Sequence, residues 1–188
     1  MISKRIIGVI TIKDNIAVQS FGYNKYLPLG DPKILVKNLD RWGTDEILIN
    51  VIDSWKNDKN PNFEIISKIK DLNITTPIIY GGGINSLESA KKLICNGVDR
   101  LLIEKIIIND LDEFEKIYKE IGAQSLILSL PLKKLSKNEY VYFNSISQEE
   151  EILPKNFFKV IEKKIVSEIL LIDYENEGSI DGFNLNLL

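Results

Sequence analysis

The sequence predicts an α/β fold built on a parallel sheet, and three observations carry that reading. Short apolar runs alternate with stretches of helical period, the runs have the length of strands, and helix-capping residues stand at the junctions. The runs are Arg5 to Ile12, Glu46 to Ile52, Pro77 to Tyr80, Arg100 to Ile103, Ser125 to Leu130 and Glu168 to Ile172. Each is apolar at nearly every position rather than at alternate ones, as parallel strands buried on both faces must be. The helix-period stretches are Pro32 to Trp42, Asn62 to Leu72, Ser86 to Asn96, Leu111 to Ile121 and Pro154 to Lys164. Asp31 stands as an N-cap before a first-turn proline, and Gly43, Gly97 and Gly122 stand where helices should stop. Six β-then-α periods result. Such alternation builds either an open doubly wound sheet or a (β/α)8 barrel, and periodicity does not choose between them.

Two segments break the rhythm. Val18, Phe21, Tyr23 and Tyr26 mark 16–29 as an excursion of extended chain at one end of the sheet. Lys133 to Phe143 has the pattern of a small hairpin turning at a Lys-Asn pair, with Tyr140, Tyr142 and Phe143 beyond the turn.

Composition narrows the function. A chain of 188 residues supports one core, so 1–188 is read as a single domain. Lysine and arginine total 24 against 27 acidic residues, interspersed, which leaves no basic face for nucleic acid or an anionic membrane. The start MISKRII is too short and too charged for a signal peptide, and no apolar run reaches membrane-spanning length, so a cytoplasmic protein is expected. Cys95, the one cysteine, falls in a helix-period stretch and is expected to pack in the core. With no histidine in the chain, histidine-based triads, imidazole metal sites and imidazole acid-base catalysis are excluded. No cofactor or metal is expected.

Three groups of residues can carry chemistry. Gly81-Gly82-Gly83 follows the third strand and precedes a helix, where converging backbone N–H groups suit a phosphate; a tight strand-to-helix turn explains the same glycines. Asp173, Glu175 and Glu177 follow the sixth strand, where barrel acids and bases sit; a solvated acidic loop is the competing reading, and no second ligand cluster supports a metal. Arg5, Glu46, Arg100 and Glu168 open four of the strands with both signs of charge. Directed inward, they would form a salt-bridged ring across the mouth of a barrel.

With those residues in place, the chain resembles the cyclase (synthase) subunit family of imidazole glycerol phosphate synthase, a (β/α)8 barrel partnered by a glutaminase in histidine biosynthesis. The resemblance rests on Lys4-Arg5-Ile6-Ile7 with Lys13-Asp14, Gly30-Asp31-Pro32, Asp45-Glu46 and Gly81 to Ile84. It continues through Gly97 to Arg100, Gly122 to Ser125, Glu168 to Leu171, and Gly178-Ser179 with Gly182. It implies a TIM-type barrel of about six βα units, with the family's strands seven and eight missing. It also places Thr11 and Pro131 at the family's two catalytic aspartate positions, where neither side chain replaces a carboxylate. Gly81 to Gly83 and Lys105 are the implied phosphate contacts, and Glu175 and Glu177 match family aspartates. Arg5, Glu46, Arg100 and Glu168 match an ammonia gate, and Asp99 matches a glutaminase contact.

The stretch 21–32 and the loss of the first aspartate resemble the branch of this family that serves sugar amidation in surface-polysaccharide pathways. The leading expectation is therefore a synthase-side amidotransferase subunit, passing ammonia from a glutaminase to a phosphorylated or nucleotide-sugar acceptor. The alternatives are an inactive barrel remnant that scaffolds or regulates a glutaminase or another barrel chain, and a true histidine-pathway cyclase. Open sheet edges would also allow self-association.

Overall fold

The computed structural model describes residues 4–54, 60–136, 139–144, 147 and 149–188. Six strands are mutually parallel and lie in the order β1 (Ile7–Lys13), β4 (Glu46–Val51), β5 (Ile78–Gly81), β6 (Arg100–Ile103), β7 (Leu126–Ser136) and β10 (Glu168–Asp173). Helices α1 (Pro32–Trp42), α2 (Phe63–Lys70), α3 (Leu87–Cys95), α5 (Leu111–Ile121) and α6 (Lys155–Glu162) connect them, with a short α4 (Lys105–Asn109) directly after β6. The helix starts follow from local chemistry. Asp31 accepts a hydrogen bond from the Lys33 amide ahead of Pro32, Asn62 from Ile65, and Ser86 closes a reciprocal capping box with Ser89.

Both faces of the sheet are buried, which explains the unbroken apolar runs. Ile47, Ile49, Leu101, Ile103, Leu126 and Leu128 pack outward against the helices, while Leu48, Ile79, Leu102 and Ile127 form a second layer inside the curl, joined by Ile7 and Leu170. The curl brings the two ends of the parallel path together. β1 and β10 are not paired, yet Arg5 before β1 forms an ion pair with Glu168 of β10. This is an α/β fold with a parallel sheet curling as in a TIM-type barrel.

Beyond the parallel path the structure meets some of the sequence expectations and departs from others. Among the described residues the sheet has ten strands, because the two expected excursions join its six parallel strands as antiparallel additions. The first is β2 (Ile16–Phe21) with β3 (Lys25–Gly30), hung from the end of β1. The second is β8 (Glu139–Asn144) with β9 (Glu149–Ile152), hung from an extension of β7 past Leu130; the expected Lys-Asn turn, 137–138, lies outside the described residues. Helix α4 was not expected. Finally, Cys95 is exposed, correcting its expected place in the core. Leu93 faces inward, and two residues further on is about 200° of helical rotation, which turns Cys95 to solvent.

Candidate functional site

The two rims of the curled sheet carry the charged residues that the sequence singles out. At the N-terminal rim the register places Arg5, Glu46, Arg100 and Glu168 on the inner face, and their side chains close a four-membered ring. Arg100 Nη1 lies 3.1 Å from Glu46 Oε1 and 3.1 Å from Glu168 Oε2. Arg5 completes the circuit, with Nη1 3.5 Å from Glu46 Oε2 and Nη2 on Glu168 Oε1. Arg100 Nη2 also donates to Ser167 Oγ at 2.7 Å. Glu46 is only 5% exposed, whereas the Arg5 side chain is 46% exposed, so the ring runs from the interior to the surface. Partial burial pushes the Glu168 carboxyl up, but hydrogen bonding and attraction from Arg100, then Arg5, outweigh it and hold the group below the usual carboxylate range. Asp99 stands beside the ring, exposed, and its carboxylate accepts from the Ile78 amide at 2.8 Å.

At the C-terminal rim the polar groups are tied to one another. Glu104 at the end of β6 accepts from Tyr142 Oη at 2.5 Å and Ser129 Oγ at 2.9 Å. The neighbouring Lys105 donates to Tyr142 Oη at 2.5 Å and Asn144 Oδ1 at 2.7 Å, and pairs with Glu104 at 3.2 Å. Burial, followed by the Glu104 charge, raises the Tyr142 phenol well above the tyrosine norm, so it stays a neutral donor. Beside this network Phe143 of β8 stacks on Tyr174 at 4.5 Å between ring centres and meets Tyr23 of the β2–β3 turn at 5.0 Å. The two excursions therefore join across the mouth. Sequence reasoning noted Tyr142 and Phe143 only as hairpin residues and missed both clusters, since nothing local links them to Glu104 or Tyr23.

The remaining expected site residues fall at this rim or beside it. Thr11 lies two residues before the end of β1, and Pro131 in the middle of β7, close to where its parallel pairing with β10 stops; Thr11 is paired with Asn50 and Val18, and Pro131 is buried beside Ile172. Glu175 pairs with Lys133 at 3.2 Å. Glu177 fastens the β2–β3 turn: its side chain accepts from the Tyr23 amide at 3.0 Å, and its carbonyl from Gly22 at 3.0 Å. Asp173 is buried and accepts from the Asn184 amide at 2.7 Å and from Asn176 at 2.8 Å. These carboxylates hold the segment after β10 in place. In the glycine turn, a Cβ on Gly82 would lie 2.1 Å from Val51 O, and one on Gly83 would lie 2.5 Å from Asn60 O. Close packing of neighbouring backbone thus requires both glycines, which also have positive φ. The amide of Asn62, beside that turn, donates to Tyr80 Oη at 2.7 Å, and burial pushes this phenol up to about 12. No group of metal-binding side chains assembles among the described residues, and no described helix is long and apolar enough to cross a membrane.

Comparison with known proteins gives the family of the chain. A protein provisionally named imidazole glycerol phosphate synthase subunit hisF2, from Vibrio vulnificus, is 29% identical over all of this chain and 69% of its own length. The imidazole glycerol phosphate synthase subunits HisF of Sulfolobus acidocaldarius and Dictyoglomus thermophilum are each 26% identical, over all of this chain and 75% of their own lengths. The family model described as histidine biosynthesis protein matches residues 5–188. The chain belongs to the histidine biosynthesis protein family, with subunits of imidazole glycerol phosphate synthase among its relatives.

Proposed function

We propose that this chain is the synthase-side subunit of an imidazole glycerol phosphate synthase-type glutamine amidotransferase, acting through its N-terminal rim toward a glutaminase. The observation that carries this reading is the closed ring of Arg5, Glu46, Arg100 and Glu168, with Asp99 exposed beside it. A ring of opposite charges across the axis is a gate for a small neutral molecule such as ammonia. An exposed acid next to it supplies a docking contact for a basic partner group. The names of the relatives favour the histidine pathway over sugar amidation.

The C-terminal rim supports a narrower role in catalysis. Thr11 and Pro131 provide no carboxylate for the two family aspartates, and the Lys105 ammonium is engaged by Tyr142, Asn144 and Glu104. Cyclisation by this chain with free ammonia is therefore expected to be absent, since loss of one acid-base group costs about 10²- to 10⁴-fold. The test pairs two measurements: association with the glutaminase subunit of an imidazole glycerol phosphate synthase, read together with glutamine hydrolysis, and cyclase turnover with ammonium salts. Saturable binding that stimulates hydrolysis, without cyclase turnover, is the expected result. No association at micromolar concentrations removes the reading.

A further inference from the structure

The ring at the N-terminal rim is closed, but its two arginines are held unequally. Arg100 Nη1 donates to Glu46 Oε1 at 3.1 Å, to Glu46 Oε2 at 3.2 Å and to Glu168 Oε2 at 3.1 Å. Its Nη2 donates to Ser167 Oγ at 2.7 Å, and that hydroxyl donates in turn to the Leu126 carbonyl at 3.0 Å. The Ser167 amide donates to the same carbonyl at 2.9 Å, which ties the residue to the start of β7. Both arms of the guanidinium fork are thereby anchored, one to carboxylates and the other, through a single hydroxyl, to the backbone of the sheet. Arg5 has less. It donates a hydrogen bond to Glu168 and meets Glu46 only as an ion pair at 3.5 Å. It stands ahead of β1 rather than within a strand, whereas Arg100 is the first residue of β6.

Removal of one arginine or the other leaves the acids in different states. Without Arg100, Glu46 would lose both of these hydrogen bonds and keep an ion pair at 3.5 Å while buried, and a buried charge so poorly matched is costly. Without Arg5, both carboxylates would stay hydrogen-bonded to Arg100. The Arg5 guanidinium would pass into water that already reaches 46% of its side chain, against 11% for Arg100. Exposed pairs of this kind are weak and open readily.

We infer that Arg5 is the moving arm of the ring and Arg100 its fixed arm, with Ser167 as the positioning residue that holds Arg100 in place. The ring opens on its Arg5 side alone, and a small neutral molecule passes Glu46 and Glu168 while neither acid is left without a hydrogen-bonded partner. The inference rests on the proposed reading of the ring as a gate and adds which residue moves.

The test is the rotation of the arginine guanidinium groups in the intact chain, followed by nitrogen-15 exchange between Nη1 and Nη2. The chain has three arginines, and Arg41, exposed and with a 3.5 Å contact to Asn38, is the solvent reference. Arg100 should rotate about tenfold or more slower than Arg41, and Arg5 within about threefold of it, since rotation must break the hydrogen bonds each group makes. Ser167→Ala should speed Arg100 by about fivefold or more, and Ser167→Thr, which keeps the hydroxyl, should stay within about twofold of the natural chain. Ser167 is itself exposed, so the thermal midpoint should hold in both variants. A merely structural role would lower the midpoint and leave Arg100 as slow as before. Arg100 unmoved by Ser167→Ala overturns the inference, as does an Arg5 that rotates as slowly as Arg100, a comparison that needs no variant. Glutaminase binding enters neither measurement, so failure here and failure of the gate reading are seen in separate experiments.

Discussion

The two rims solve the problem of buried charge in different ways. At the N-terminal rim, three charges at strand starts and Arg5 just ahead of β1 neutralise each other in a ring. At the C-terminal rim, Glu104 and Lys105 come from one strand end, and their partners Tyr142 and Asn144 arrive on a hairpin. Charges on strands are positioned by the sheet itself and remain open to a partner on one side. Charges satisfied by an inserted hairpin are committed to holding that hairpin. The first arrangement leaves a charged face open to solvent; the second closes a mouth.

The sharpest way to break this comparison is at Glu46. Glu46→Ala leaves Arg100, whose side chain is 11% exposed, with Glu168 as its remaining ring partner, and removes the inner anchor of Arg5. Breaking a buried ion pair on one side costs about 3 kcal/mol, and urea denaturation should show a loss of that order. A loss under about 1 kcal/mol would mean that the ring is solvated and does not brace the strands.

Tyr142→Phe tests the other rim and should cost less, about 2 kcal/mol, because one hydroxyl is lost while Glu104 and Lys105 keep each other at 3.2 Å. The hairpin should loosen with it, read as faster amide exchange across β8 and β9 while the six parallel strands stay protected. Uniform exchange across the sheet would show that the hairpin is not a separate unit.

These contrasts also explain what the sequence disclosed. The parallel core was legible because its strands are buried on both faces, so Glu46 to Ile52 and Arg100 to Ile103 read as unbroken apolar runs. The extension of β7 past Leu130 was legible only as a separate hairpin beginning at Lys133, since Lys133 and Lys134 interrupt the apolar run while pairing with β8 keeps the chain extended. Helix α4 was hidden because Ile106, Ile107 and Ile108 look like a continued strand in so short a segment. The ring residues were visible as charges at strand starts, where period two and register fix the face they occupy. The Glu104 network and the Tyr23–Phe143–Tyr174 stack were not, because their members meet only after the excursions fold back.

Asp99 sharpens the comparison from outside the ring. Its carboxylate caps the Ile78 amide, so Asp99→Lys should cost about 1 kcal/mol in folding, while Asp99→Asn, which keeps an acceptor oxygen, should cost almost nothing. If the proposed docking is correct, both variants weaken glutaminase association, because both remove the charge. Calorimetric titration alongside thermal melting separates the two effects. Association unchanged in both variants would assign Asp99 to the fold alone.

The smallest effect belongs to Glu168, the most solvent-exposed acid of the ring, with its side chain 37% exposed. Partial burial raises its pKa and the two arginines lower it further, leaving the folded value depressed. A depressed folded pKa means that this carboxylate contributes stability above its unfolded pKa, about 4.3, and loses it as pH falls through the folded value. Exposure limits that contribution to under about 1 kcal/mol. The difference in stability between the natural chain and Glu168→Gln should therefore be constant near neutral pH and shrink only below about pH 4. Raising salt from low to about 1 M should reduce it partially, since the ring's inner side is shielded from ions. Denaturation of both chains across that pH range gives the answer directly. A difference that persists unchanged to pH 2 would place the role of Glu168 in packing, and the ring would then owe its strength to Glu46 and Arg100 alone.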